Sequence, residues 1–264
     1  MSLIDNDHLL NVGIEACLAA SNLIMDAADH PRLSKNKGKT DLVTSTDIGS
    51  EEIIKSIIRS SFEDHSIYAE ESGKEITTSD YLWIIDPLDG TTNFVHGYPS
   101  FGISIGIYLN NEPLMGIVLE LPNKKLYTAV KNEGAFCEGL KIAPSKTDSL
   151  NESLLVTGFG YDHGDNWNLN MDLFKHFTDI TQGVRRLGAA SIDICHVASG
   201  KADGFWEYDL KPWDTAAGII IARESGCKIT DIRGNDHNLN DDSILITNSR
   251  IHNEVINQTS GYLN

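Results

Sequence analysis

Asp86-Pro87-Leu88-Asp89-Gly90-Thr91-Thr92-Asn93-Phe94 gathers, in one short segment, groups that could handle phosphate. The apolar run at 81–85 delivers Asp86 at its carboxyl end, and Pro87 is expected to turn the chain there by fixing φ. Asp89 follows three residues after Asp86, so a turn can aim both carboxylates at one point. Gly90 lets backbone approach a ligand closely, and Thr91-Thr92 reads as the start of a short helix whose free N–H groups favour an anion. Two hard carboxylates beside an anion-binding turn suit metal-assisted phosphoryl chemistry. In isolation, a capped turn in which both aspartates only meet backbone is the simpler reading.

Three further acidic places could join them. Asp47 closes the stretch 41–47 at a helix start, Glu70-Glu71 ends a short apolar run, and Asp214 opens the segment Trp213-Asp214-Thr215-Ala216-Ala217-Gly218. Singly, each is more simply a helix cap or a solvated turn. Small residues behind Asp214 would permit close packing and bring it inward.

The elements that must position these residues follow from periodicity. Leu9, Val12, Ala16, Cys17, Ala20, Leu23, Ile24 and Ala27 recur at helical spacing over 5–28, and Pro31 ends the run. The basic, glycine-containing stretch 34–39 reads as a loop. A second helix is expected from Thr46 or Asp47, with Ser45 or Thr46 as cap and Ile48, Ile53, Ile54, Ile57 and Ile58 as its stripe. Period-two alternation at 101–109, a return at 114–121 and a third run at 126–130 predict an antiparallel meander. The polar run 144–149 is the expected subdomain boundary. Beyond it come a strand at 153–157, helices at 168–178, 191–198 and 213–225, and a strand at 243–247. The expected fold is a layered α+β, αβαβα sandwich, with an antiparallel α+β half over 1–145 and an α/β half over 146–264 forming one catalytic unit.

Composition narrows the function. The chain has 264 residues, 41 % of them apolar, which is ample for a buried core. A formal charge of −17 argues against a duplex nucleic-acid binder or a protein drawn to an anionic membrane surface. No window approaches the roughly 18 consecutive apolar residues of a membrane span, and the first residues lack the pattern of a signal peptide. Cys17, Cys137, Cys195 and Cys227 are widely spaced, so buried thiols rather than a disulfide framework are expected, with a cytoplasmic location as the default.

Taken together, the motif at 83–94, the segment at 213–218, the acids at Asp41, Asp47 and Glu70-Glu71, Gly188-Ala189-Ala190 and Glu207 resemble the inositol monophosphatase family over nearly the whole chain. That family belongs to a group of lithium-sensitive, magnesium-dependent phosphatases that includes fructose-1,6-bisphosphatases. The resemblance implies that Glu70, Asp86 and the Leu88 carbonyl bind one Mg2+, and that Asp86, Asp89 and Asp214 bind a second. Glu70 and Asp47, the latter through water, would support a third. It further implies that Gly90 and Thr91 offer N–H groups to phosphate, that Gly188 and Ala190 line the ring pocket, and that Glu207 accepts hydrogen bonds from inositol hydroxyls. One of Lys35, Lys37 and Lys39 would face the site. A homodimer is implied as well, for which the apolar meander and Arg185-Arg186 offer surfaces.

The implied reaction is hydrolysis of a phosphomonoester, myo-inositol 1-phosphate foremost, by a metal-activated water that Glu70 and Thr91 orient and deprotonate. Histidinol phosphate, fructose 1,6-bisphosphate and 3′-phosphoadenosine 5′-phosphate are the alternative substrates; a non-catalytic regulatory protein on the same fold is a further alternative. Five ionised carboxylates and a phosphate dianion of charge roughly −2 would be offset in large part by two or three Mg2+, which reverses the field the acidic chain presents. Nothing suggests a covalent intermediate: there is no G-x-S-x-G and no C-x5-R. His96 reads as a loop histidine, Arg185-Arg186 as surface or interface residues, and Trp83, Trp206 and Trp213 as core.

Overall fold

Five layers stack in the order helix, sheet, helix, sheet, helix. They are seen in a computed structural model that describes residues 5–28, 34–36, 42–161 and 163–262. The outer helical layer is α1 (Asn6–Ala28) and α2 (Ser45–Ser61). Between them β1 (Ser34–Asn36) and β2 (Leu42–Thr44) pair antiparallel, so part of the expected loop is a strand; Asp41, Lys37 and Lys39 lie outside the described residues. By length and composition α1 could cross a bilayer. Its stripe from Leu9 through Ala16, Cys17 and Ala20 to Ile24 is instead fully buried against the first sheet, as an amphipathic core helix requires.

The first sheet has eight strands in the order β10-β9-β8-β7-β6-β5-β3-β4. In chain order these are β3 (Ser66–Ala69), β4 (Gly73–Glu75), β5 (Tyr81–Asp89), β6 (Phe101–Leu109), β7 (Glu112–Leu121), β8 (Lys125–Val130), β9 (Gly134–Cys137) and β10 (Leu140–Lys141). The run β6-β7-β8 is the expected meander, which β5 precedes and the unforeseen β9 and β10 extend; β3 lies parallel to β5.

The second sheet mixes directions. β11 (Leu154–Thr157) runs parallel to β12 (Gly183–Arg185) and β13 (Gly204–Tyr208), whereas β15 (Ser243–Thr247) is antiparallel to both β13 and β14 (Lys228–Thr230). A short helix, α3 (Thr91–His96), follows β5. α4 (Asp165–Ile180) and α7 (His252–Thr259) cover the outer face, where Trp206, Leu173, Phe177 and Val255 pack. α5 (Ala190–Ala198) and α6 (Pro212–Ser225) fill the space between the sheets. Their residues meet Val118 and Tyr127 on one side and Val156 and Phe205 on the other. Neighbours Phe205 and Trp206 thus face opposite layers, as a strand's period of two demands.

A helix with a sheet on each side has no solvated stripe. Residues Thr215 to Ala222 of α6 are accordingly all buried, and the uninterrupted apolar run in the sequence has that cause. The first sheet receives α6 very closely. A Cβ on Gly116 would stand 2.3 Å from the Ala217 carbonyl oxygen. Helix backbone cannot yield there without moving the helix. Gly116→Ala should therefore destabilise the protein by about 1–3 kcal/mol and lower its Tm by roughly 3–10 °C, measured by thermal unfolding; an unchanged Tm would show that α6 can shift freely.

Candidate active site

Asp86 and Asp89 are brought together by a bulge, where a turn was expected. β5 continues through Pro87 to Asp89, and its register against β6 shifts between Asp86 (opposite Ser104) and Asp89 (opposite Gly102). Pro87 and Leu88 therefore oppose Ile103 alone, and proline, which has no N–H to give the ladder, is tolerated at such a place. Side chains close the bulge. The Leu88 N–H donates to Asp86 Oδ1 at 3.0 Å, and Ser50 Oγ of α2 donates to the Pro87 carbonyl at 2.7 Å. Gly90 then adopts φ 86° and caps α3. A Cβ there would sit 2.9 Å from the Ser100 carbonyl in a left-handed conformation, so glycine is needed for both reasons.

Asp47 is placed by a capping box. The N-cap of α2 is Thr44 rather than Ser45 or Thr46, and Asp47 is its third helical residue. Asp47 Oδ2 accepts from Thr44 N–H at 2.8 Å and Thr44 Oγ1 at 2.5 Å, and its Oδ1 accepts from Thr91 Oγ1 at 2.7 Å. Both oxygens are thus engaged, and Asp47 stands behind Thr91 rather than on the cavity wall. The Thr91 hydroxyl also lies 3.1 Å from the Leu88 carbonyl, a second acceptor; Thr91 and Glu70, expected to act together on a water, line the same cavity. Along the same helix Ile48 is 49 % exposed, because the inward face of the first turns belongs to Asp47, Ser50 and Glu51.

Asp214 lies in the first turn of α6 behind Pro212, and its Oδ2 accepts from the Lys211 N–H at 2.6 Å. Asp89 Oδ2 is held by α5, through the Ser191 N–H at 2.8 Å and Ser191 Oγ at 2.5 Å. Glu70 follows β3, its N–H donating to the Ile85 carbonyl at 3.1 Å. Glu70, Asp86, Leu88, Asp89, Gly90, Thr91 and Asp214 share the wall of one cavity of about 380 Å³, with Gly188, Ala190 and Glu207 also on it. That volume suits a small ligand.

Glu207 belongs to β13, a strand not foreseen from the sequence. Its carboxylate needs a glycine beside it: a Cβ on Gly158 would lie within 2.2–2.5 Å of the Glu207 carboxyl atoms. Gly158 is itself held in place. Asn170 of α4 donates to the Gly158 carbonyl at 2.6 Å and accepts from the Trp206 indole at 2.6 Å. Trp206 and Trp83 are core residues as expected, but Trp213 is half-buried on the cavity wall, edge-on to Tyr68. Arg186 also reaches that wall, while its neighbour Arg185 on β12 is exposed and donates to Val184. His96 is exposed at the end of α3, and the four cysteines are free.

One wall residue gave no signal in the sequence. Asp193 of α5 is 1 % exposed, and neither of its carboxyl oxygens has a hydrogen-bond partner. It sits one turn beyond Ala189 in an apolar run, where only the fold shows that it meets the cavity.

The acids raise one another's pKa. Burial first, then the charges of Glu70, Asp89 and Asp214, push Asp86 well above the usual carboxylate range. Asp214 is raised by burial and then by Asp89 and Glu70. Burial raises Asp89 against the opposing hydrogen bonds of Ser191. Asp193 and Glu207 are raised by burial and neighbouring acids, with Arg186 pulling the other way. Among the described residues no three acid, histidine or cysteine side chains converge as a closed ion cage. Mg2+ needs none, since it keeps several waters and takes one or two carboxylates plus substrate oxygens. The donors on this wall are all oxygen, with no thiol or imidazole among them, and the buried repulsion calls for cations, so the residues fit that metal.

Layered fold and acidic phosphate-sized cavity together define a phosphatase. A family model described as "Inositol monophosphatase family" matches residues 5–263. The chain is 46 % identical over 256 residues to "Phosphatase IMPL1, chloroplastic" of Arabidopsis thaliana, covering 94 % of this chain and 69 % of that protein. It is 42 % identical to the "Inositol-1-monophosphatase" of Synechocystis sp., over 93 % of this chain and 86 % of that one. The solved inositol monophosphatase of Anabaena (Nostoc) superposes with TM-score 0.87 at 38 % identity, covering 97 % of this chain and 96 % of the other. The chain belongs to the inositol monophosphatase family.

The raised acids set a pH dependence. A carboxyl whose folded pKa lies above its unfolded value holds an extra proton when folded, so its contribution to stability falls as pH rises through that interval. Cation binding must expel those protons and strengthens over the same interval. The rise in Tm on replacing EDTA by Mg2+ should be larger at pH 8 than at pH 5.5. Histidines lowered by burial, such as His252 at about 4, shift both curves alike and cancel in the difference. An equal rise at both pH values would mean that cations do not engage these acids.

Proposed function

We propose that this protein hydrolyses a small polyol phosphomonoester, myo-inositol 1-phosphate foremost, with two or three Mg2+ held by Glu70, Asp86, the Leu88 carbonyl, Asp89 and Asp214. The observation that carries the reading is one cavity lined by mutually repelling acids together with the Glu207 carboxylate. Bound there, Mg2+ would neutralise phosphoryl charge, make water more acidic and stabilise the leaving alkoxide.

The chain's own groups supply the rest. Thr91 Oγ1 gives its proton to Asp47 Oδ1, which leaves a lone pair on Oγ1 facing the cavity. A water placed there can pass a proton to Oγ1 while Oγ1 passes its own to Asp47. Asp47 acts through Thr91 and does not touch substrate. Glu70 is a second acceptor on the same wall. Glu207 accepts ring hydroxyls and orients the ester. Histidinol phosphate is the second reading, because two buried acids, Asp193 and Glu207, also suit a cationic group.

Asp86→Asn and Asp89→Asn should each reduce kcat on the order of 10³-fold with the fold retained; near-normal turnover at saturating Mg2+ would refute the ligand assignment. Glu207→Gln separates reading from chemistry. It should lower kcat/KM for inositol 1-phosphate about tenfold or more while changing an aryl phosphate little. Steady-state kinetics on a panel of phosphomonoesters, including histidinol phosphate, checks both, and an equal loss on all substrates would place Glu207 in the catalytic machinery.

A further inference from the structure

Glu207 separates two spaces. One is the large cavity; the other is a small recess of about 10 Å³, lined besides Glu207 by Thr215, His237, Asp241 and Ser243 and by the apolar Leu210, Leu239 and Ile244. His237 lies in the connection between β14 and β15, its side chain 5 % exposed. Neither ring nitrogen has a hydrogen-bond partner, and the nearest carboxylate oxygen, of Asp241, stands 3.7 Å from Nδ1. Two orphaned ring nitrogens are unusual in a folded protein, where buried polar groups are paired with protein or ordered water. Burial lowers the imidazole pKa, against the pull of Asp241 and of the Ser243 backbone, which lies near the ring; a neutral ring has one N–H to donate and one nitrogen to accept. The pocket matches a single water in size, and its walls carry the two to four polar groups such a water needs.

The connection is tied immediately after His237. Asn238 N–H donates to Asp241 Oδ2 at 2.7 Å, and Asp241 N–H donates back to the Asn238 carbonyl at 3.0 Å. The register of β13 against β15 places Glu207 opposite Ile244, next to Ser243. His237 thus shares its recess with Glu207 and with Thr215, the residue after Asp214.

We propose that this small recess holds one ordered water linking His237 to the Glu207 carboxylate, so that His237 is the positioning residue for the acid that reads substrate hydroxyls. A carboxylate flanked by Gly158 has no side chain on that flank to hold it, and a hydrogen bond from behind fixes which lone pairs remain for the substrate. This inference rests on the reading of Glu207 given above.

The test uses the full chain with Mg2+. Kinetics are measured on inositol 1-phosphate and p-nitrophenyl phosphate for the wild type, His237→Phe, His237→Asn, Glu207→Gln and the His237→Phe/Glu207→Gln double variant. His237→Phe should raise KM for inositol 1-phosphate about three- to tenfold, the worth of one ordinary hydrogen bond, with kcat and the aryl ester within about twofold. His237→Asn should recover part of the loss, and His237→Phe should add nothing once Glu207 is glutamine. Equal losses on both esters, or a full added loss in the double variant, overturns the proposal. A wild type with no preference for the polyol ester would defeat the functional reading instead. The pocket is decided separately by a high-resolution crystal structure. Water within hydrogen-bond distance of a His237 nitrogen and a Glu207 oxygen supports the proposal, and a dry pocket overturns it.

Discussion

Like charges crowded into a buried place govern this molecule. Asp86, Asp89 and Asp214 stand on one cavity wall, each raised by burial, Asp86 further by Asp89 and Asp214, and Asp214 further by Asp89. Left alone, such groups would separate or neutralise. The protein prevents separation by tying each to a different rigid element: a sheet bulge for Asp86, the start of α5 for Asp89, the start of α6 for Asp214. Those ties are hydrogen bonds from backbone N–H groups or hydroxyls, which steady the carboxylates without cancelling their charge. Lys211 offsets part of the charge at Asp214 and Arg186 part of that at Asp193 and Glu207, yet these acids stay raised, and the repulsion that remains is what a bound cation would relieve.

The five-layer stack follows from the same requirement. Two of the anchors belong to the middle helical layer and one to the first sheet, so the site exists only where these meet. Gly106 and Gly116 allow that meeting, since a Cβ on either would strike the backbone of α6. Around the same cavity, Asn170 ties Gly158 to Trp206 and so fixes the neighbour of Glu207 from the outermost helix. The polar network thus reaches from α4 through the second sheet to the cavity.

Much of this was legible in the sequence, and the limits are instructive. The motif Asp86 to Phe94 shows its chemistry because ligand residues, proline and glycine lie within one local segment. Helices α1, α5 and α6 and the meander follow from their apolar spacing. The bulge at Pro87 was read as a turn, since the dihedral constraint of proline is the same in both and only pairing with β6 tells them apart. Thr44 was passed over as the cap of α2 because three hydroxyl residues adjoin there, and the choice among them rests on which one Asp47 reaches. Trp213 and Arg186 were assigned to core and surface by local pattern, while the cavity that claims both forms between distant elements. Asp193 and His237 carry no sequence signal at all, because their distinction is the absence of a partner.

Walls drawn from residue 70 at one end to residue 214 at the other also have a consequence for folding. Such long-range closure comes late, since loop entropy must be overcome before the contacts repay it. Ion or substrate binding accordingly recognises only the finished chain, and its stabilisation falls on global unfolding rather than on local fraying of single elements. A ligand of this cavity is in that sense a clamp on the whole fold: protection from amide exchange gained on binding would spread through both sheets and all three helical layers, far beyond the atoms it touches.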